Sequence, residues 1–227
     1  MGQWHPECPA RLQAIEDQLI ASRIGELIER ESAPLADEAA LLRVHTKAHV
    51  DYLRERAPSE GYAEIDPDTS MNPHTWNAAL RAAGAAVAAT DAVIEGRYDN
   101  AFCSVRPPGH HAEPARAMGF CFFNNVAIAA RSKGMVVREA VDMIWLPRLD
   151  AFKPQMLFVS AGFDAHREDD LGNMALVEDD YAWITEQIRQ VAAKYAKGRI
   201  VSCLEGGYNL SALGRSVVAH VRALADI

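Results

Sequence analysis

Two adjacent imidazoles, His110 and His111, follow an Arg-Pro-Pro-Gly turn and precede the run GFCFFNN. Near neutral pH an imidazole both takes and gives a proton. A pair at the end of a strand therefore suits a general base with an electrostatic partner. That needs a turn that brings both rings to one cavity, because successive residues of an extended segment point to opposite faces. The same geometry makes a metal ion shared by both rings the less direct reading, and two loop histidines at the surface are the plain alternative. Asp164, in SAGFDAHREDD, ends an apolar run, where aspartate serves either as a helix N-cap or as a metal ligand or charge partner. His166 completes a D-x-H pair or else faces solvent beside Arg167 and Glu168. The run Glu168–Asp169–Asp170 reads as solvated loop. Tyr208 follows Gly206 and Gly207, whose freedom lets a backbone approach a ligand closely. Its hydroxyl there can donate to a developing oxyanion, or its ring can simply pack. Phe120, Phe122 and Phe123 line an apolar slot or fill the core.

The elements that must position these groups are legible in outline. Ala101–Val105, Met156–Gly162 and Arg199–Leu204 are apolar runs without alternation, which reads as buried strands. Helical segments separate them, as in a parallel α/β sheet. Each ends in a polar, glycine-bearing turn, and ligands of open α/β sheets sit beyond the carboxyl ends of the strands. His110, His111, Asp164 and Tyr208 are therefore expected to converge. Helical spacing runs from Pro9 to about Arg30, over TKAHVDYLRER, and over TWNAALRAAGAAVAATDAVIEG, which Gly96 closes. EGYAEIDPDTSMNPH reads as a long polar loop.

The chain has 227 residues, enough for one core, and a single domain over 1–227 is expected. A net charge of −8 argues against a nucleic-acid-binding face, although an acidic rim would attract a cationic substrate. The four cysteines show no metal-site spacing and read as free, mostly buried thiols of a reducing compartment. No signal peptide and no membrane-spanning run is seen, so the expected location is cytoplasmic.

Taken together, HPECPARL, RPPGHHA, GFCFFNN, SAGFDAH and LEGGYNL resemble the histone deacetylase superfamily. The LEGGYN form is closest to its class II and bacterial amidohydrolase-like members. The resemblance implies a three-layer α/β/α sandwich on a mainly parallel sheet, of arginase-like fold. It implies hydrolysis of an acyl-lysine peptide or a small acylated amine by zinc-activated water. His110 and His111 would handle protons, and Tyr208 would polarise the carbonyl. Asp164 would be one zinc ligand, which demotes the D-x-H pairing with His166. Gly119, Phe120, Gly207 and Leu171 would contact substrate, Phe120 as a wall of the acyl-lysine tunnel. Arg11 would line the product exit, and Asp66 or Asp68 would form the rim. A structural monovalent cation such as K+ and a homo-oligomer fit the resemblance, while nucleic acid and membrane do not. Leu171 stands where polyamine-specific members carry a glutamate, which disfavours an acetylpolyamine amidohydrolase.

One departure matters. The family strand ending D-x-D-x-H-H-G-N-G-T, which carries two zinc ligands and the carboxylates that orient the paired histidines, is absent. Relative to the family, a segment is missing between Arg131 and Ser132, and so is the first strand. The stretch SKGMVVREAVDMIWLPRLDAF reads as helix, and losing a central strand would leave the sheet split or re-paired. A catalytically dead relative that binds acylated ligands or a partner is therefore the alternative to an active deacylase.

Overall fold

The computed structural model describes residues 1, 4–132, 149, 151–172 and 176–227. The stretch read as helix after Arg131 thus lies largely outside the described residues. Three strands, β3 (Asn100–Cys103), β4 (Leu157–Ala161) and β5 (Ile200–Leu204), pair in parallel in the order β3-β5-β4. They match the three apolar runs to within two residues at either end and form one continuous ladder, so these strands are not split. Cys103 lies opposite Cys203, and Ser160 also pairs with Cys203.

The central strand β5 is buried along its whole length. Its alternate residues face two different helical layers, as strand geometry requires. Val201 and Cys203 pack with Ala82, Ala86 and Val93 of α4 (Thr75–Ile94) and Ala129 of α5 (Asn125–Ser132). Ile200 packs with Ile188 and Val191 of α6 (Glu178–Tyr195) and Leu224 of α7 (Leu210–Ala225). Leu204 meets Leu213 and Val217 of α7 and Ile15 and Leu19 of α1 (Ala10–Ala21). Ser202, facing the same side, bonds His220 of α7. This is the α/β/α sandwich that the motifs imply.

Two expectations need correction. The first helix stops at Ala21 because Arg23 takes a left-handed conformation, φ 60, and only a short 3₁₀ turn, Ile24–Glu26, follows. EGYAEIDPDTSMNPH is not a plain loop. It folds as an antiparallel hairpin, β1 (Ala63–Asp66) with β2 (Thr69–Met71). Met71 is buried in the cluster formed by α2 (Glu38–Leu41), α3 (Lys47–Arg56) and the aromatic run, and Ile65 packs against it. The strands are too short, and the turn too acidic, for alternation to declare them. The helix over 47–56 is capped by Thr46, whose hydroxyl accepts from the His49 N–H at 3.2 Å. All four cysteines are free, and Cys103, Cys121 and Cys203 are buried. Among the described residues no helix is long and apolar enough to cross a membrane.

Candidate active site

The loops that leave β3, β4 and β5 at their carboxyl ends meet, and they carry the predicted groups with them. After β3, residues 110 and 111 form a turn, which overrides the strand alternation. The His110 and His111 rings lie beside one another, centroids 4.0 Å apart. Gly119, at φ 56, lies against His111, and a Cβ there would fall 2.7 Å from the His111 Cδ2. The next residue, Phe120, also has positive φ. Its ring stands edge-on to Tyr208 at 5.7 Å and to His5 at 4.6 Å. Phe120 is thus the aromatic at the site, while Phe122 and Phe123 are core. Buried His45 and His49 hold the run from behind: His49 Nε2 lies 3.0 Å from the Phe122 carbonyl, and His45 Nε2 accepts from the Asn124 N–H at 3.0 Å. Of the two candidate rim carboxylates, Asp68 touches the site, accepting from the Gly119 N–H at 3.2 Å. Asp66 is paired with Arg116 instead.

Asp164 follows β4. Its carboxylate occupies space left by two glycines: a Cβ on Gly206 would fall 2.6 Å from the Asp164 Cγ, and one on Gly162 3.1 Å from Oδ1. Among the described residues that carboxylate accepts no hydrogen bond, so the N-cap alternative does not hold. His166 turns away into the core, its Nδ1 accepting from the Glu168 N–H and its Nε2 lying 3.5 Å from Glu178. The reading of 168–170 as solvated loop is overturned at its centre, since Asp169 is buried. One Asp169 oxygen accepts from the N–H groups of Tyr208 (2.6 Å) and Asn209 (3.0 Å), the other from that of Leu171 (3.0 Å). Leu171 itself is exposed at the edge of this clamp.

The turn after β5 carries Tyr208. Arg11 is fully buried and grips the turn from α1: Nε donates to the Gly207 carbonyl at 2.7 Å, Nη2 to the Glu205 carbonyl, and the guanidinium lies 5.1 Å from the Tyr208 ring centre. Glu7, buried and unsuspected from sequence, pairs with both Arg11 and Arg106. Burial keeps the Tyr208 hydroxyl protonated far above its ordinary range, against the opposing charge of Arg11. Burial, then the neighbouring His110, lowers the pKa of His111, which favours its neutral, proton-accepting form. Tyr208 as donor and His111 as base are the states that amide hydrolysis requires.

Glu205 is the principal group that the sequence reading passed over. It ends the buried strand β5, where a carboxylate must find partners. It lies 2.9 Å from His110 Nδ1 and accepts from the Gly109 and His110 N–H groups. Among the described residues, His110, Cys121 and Glu205 form the one trio with metal-ligand atoms within 4.8 Å of one another. Burial raises the Cys121 thiol out of the thiolate range, and its sulfur faces the Gly119 carbonyl. The trio is better described as a hydrogen-bonded histidine–carboxylate pair beside a protonated thiol.

The family model of the histone deacetylase domain matches residues 5–134 and 131–224. The chain belongs to the histone deacetylase family. It is 28% identical to the histone deacetylase-like amidohydrolase of Pseudomonas aeruginosa, over 90% of this chain and 73% of that protein. It is 32% identical to a probable deacetylase of Methanothermobacter thermautotrophicus, over 95% of this chain and 83% of that one. The crystal structure of the HDA15 HD domain superposes with a TM-score of 0.90 at 26% identity, covering all of this chain and 83% of the other. The two matched pieces of this histone deacetylase domain meet at 131–134, where the zinc-ligand motif is missing. The Pseudomonas alignment runs over 277 positions yet uses only nine tenths of 227 residues. The relative therefore carries tens of residues without a counterpart here.

Proposed function

We propose that this histone deacetylase domain is a deacylase that acts on an acylated amine, an acyl-lysine peptide or a related small amide. The observation that carries this reading is the convergence of His110–His111, Tyr208 and Asp164 at the ends of three parallel strands, with the Phe120 ring edge-on to Tyr208. Hydrolysis adds water to the acyl carbon, breaks its bond to nitrogen, and releases a carboxylate and a protonated amine. Tyr208 donates its hydroxyl hydrogen bond to the carbonyl oxygen as negative charge gathers there. The imidazole pair takes the proton that water loses and returns one to the leaving nitrogen. Phe120 excludes water from the acyl stem.

A zinc ion, the cofactor of the family, would polarise the same carbonyl and acidify the attacking water. The Asp164 carboxylate, which accepts no hydrogen bond among the described residues, fits as one ligand. Among the described residues Asp164 belongs to no group of three or more ligand side chains, and a catalytic zinc keeps three protein ligands. The described residues alone do not assemble a complete metal centre, and no step is assigned to it. That shortfall favours a second reading, in which the cleft binds acylated ligands without turning them over.

The deciding experiment measures both binding of an acetyl-lysine peptide and release of acetate, with and without added zinc, for the natural chain and for Tyr208→Phe. The deacylase reading expects turnover that Tyr208→Phe lowers ~10²–10³-fold, the effect of losing one oxyanion donor, at unchanged peptide affinity. Binding without turnover selects the second reading. Neither binding nor turnover with acetyl-lysine peptide or acetylputrescine rejects both.

A further inference from the structure

We propose that Glu205 is the positioning carboxylate of His110, fixing the imidazole as the Nδ1–H tautomer so that Nε2 is its basic nitrogen. This inference rests on the deacylase reading for its catalytic consequence but not for its geometry. The His110 Nδ1 and Glu205 Oε2 atoms are 2.9 Å apart. An ionised carboxylate only accepts hydrogen bonds, so the nitrogen facing it must carry the proton. The same oxygen takes the N–H groups of Gly109 at 2.7 Å and His110 at 3.2 Å. The other oxygen lies 3.3 Å from the Ser160 hydroxyl of β4.

Glu205 is itself immobilised. Its side chain is 2% exposed. Its N–H donates to the Ala161 carbonyl at 2.9 Å, and its carbonyl accepts from Arg11. Strand β5 therefore presents a fixed carboxylate to the loop that follows β3. This supplies, from a different strand, an orienting group of the kind that left with the segment absent between Arg131 and Ser132. A purely packing role for Glu205 would be indifferent to which ring nitrogen of His110 holds the proton.

The test uses the full chain with ¹⁵N-labelled histidine. Long-range ¹H–¹⁵N correlations report the tautomer of each ring, and loss of one pattern in His110→Ala assigns His110. The natural protein should show His110 protonated at Nδ1. In Glu205→Ala no carboxylate faces Nδ1, and the pattern should shift toward the Nε2–H form that free histidine favours. Acetate release should fall ~10²–10⁴-fold, the range of general acid–base catalysis, with acetyl-lysine peptide affinity retained. An Nε2–H pattern in the natural protein overturns the proposal, as does an unchanged tautomer in a folded Glu205→Ala. If that variant does not fold, the natural protein's spectrum decides alone. Absence of turnover in the natural chain would count against the deacylase reading, while the tautomer result would still decide the role of Glu205.

Discussion

Replacing Asp169 by alanine tests how Tyr208 is held. The Asp169 carboxylate takes three backbone N–H groups, those of Tyr208, Asn209 and Leu171. A hydrogen bond to a charged group is worth about 1.5–3 kcal/mol, and a buried donor left unpaired costs about 1–3 kcal/mol. Leu171 is exposed, so its N–H can return to water. The Tyr208 and Asn209 donors are part-buried against the buried Asp169 carboxylate and return to water less readily. Two lost partners give an expected loss of about 3–5 kcal/mol for Asp169→Ala, a large part of the 5–15 kcal/mol of a typical domain. Asp169→Asn keeps an acceptor oxygen and should cost about 1–2 kcal/mol less. Urea unfolding followed by far-UV circular dichroism, with equal m-values required of the variants, reads the difference. A loss below 1 kcal/mol for the alanine variant would refute the clamp and return Asp169 to the solvated loop that its acidic neighbours suggest.

Two further substitutions probe the site and the core. Gly119→Ala should destabilise by about 2 kcal/mol, since L-residues are strained at positive φ, and should displace His111, whose ring lies where the Cβ would go. Its ¹⁵N-histidine spectrum should show His111 moved, and an unmoved His111 would contradict the packing. His220 is held between Thr185 Oγ1 (2.7 Å) and Ser202 Oγ (2.8 Å), and burial lowers its pKa from 6.5 to about 4. The unfolded chain then binds a proton that the folded chain refuses. The stability from this site is full above pH 6.5 and falls by roughly 3 kcal/mol as pH drops to about 4. His220→Gln keeps both hydrogen-bond partners and should flatten that fall in urea unfolding between pH 6.5 and 4. Parallel curves for the two proteins would reject the assignment.

How much of this was legible depended on distance along the chain. The three strands showed as apolar runs, most fully the central β5, which is buried along its whole length. The paired histidines, Asp164 and Tyr208 stood out because glycine and proline mark the turns that hold them. The hairpin at 63–71 did not show, because three- and four-residue strands hardly alternate and Asp66-Pro67-Asp68 resembles any polar turn. Glu205 and Asp169 were present as letters but not as partners. His110 lies 95 residues from Glu205, and Tyr208 lies 39 from Asp169. Nothing local distinguishes a carboxylate that will be buried against a backbone N–H from one that will be hydrated. Glu205, at the end of a strand with no exposed face, carried the one usable signal, since a charge there must be paired.

The grip of Arg11 on the turn after β5 joins residues 196 positions apart, and β3 pairs with a strand 100 positions downstream. Contacts of such separation are slow to form, because the chain must close a long loop before any of them rewards it. Neither half of the sequence contains the whole site, since His110 and Asp164 lie in different halves. A ribosome-bound chain cannot complete the site until the turn that carries Tyr208 has left the exit tunnel. An arrested or truncated product would therefore lack the cleft rather than hold a weakened version of it.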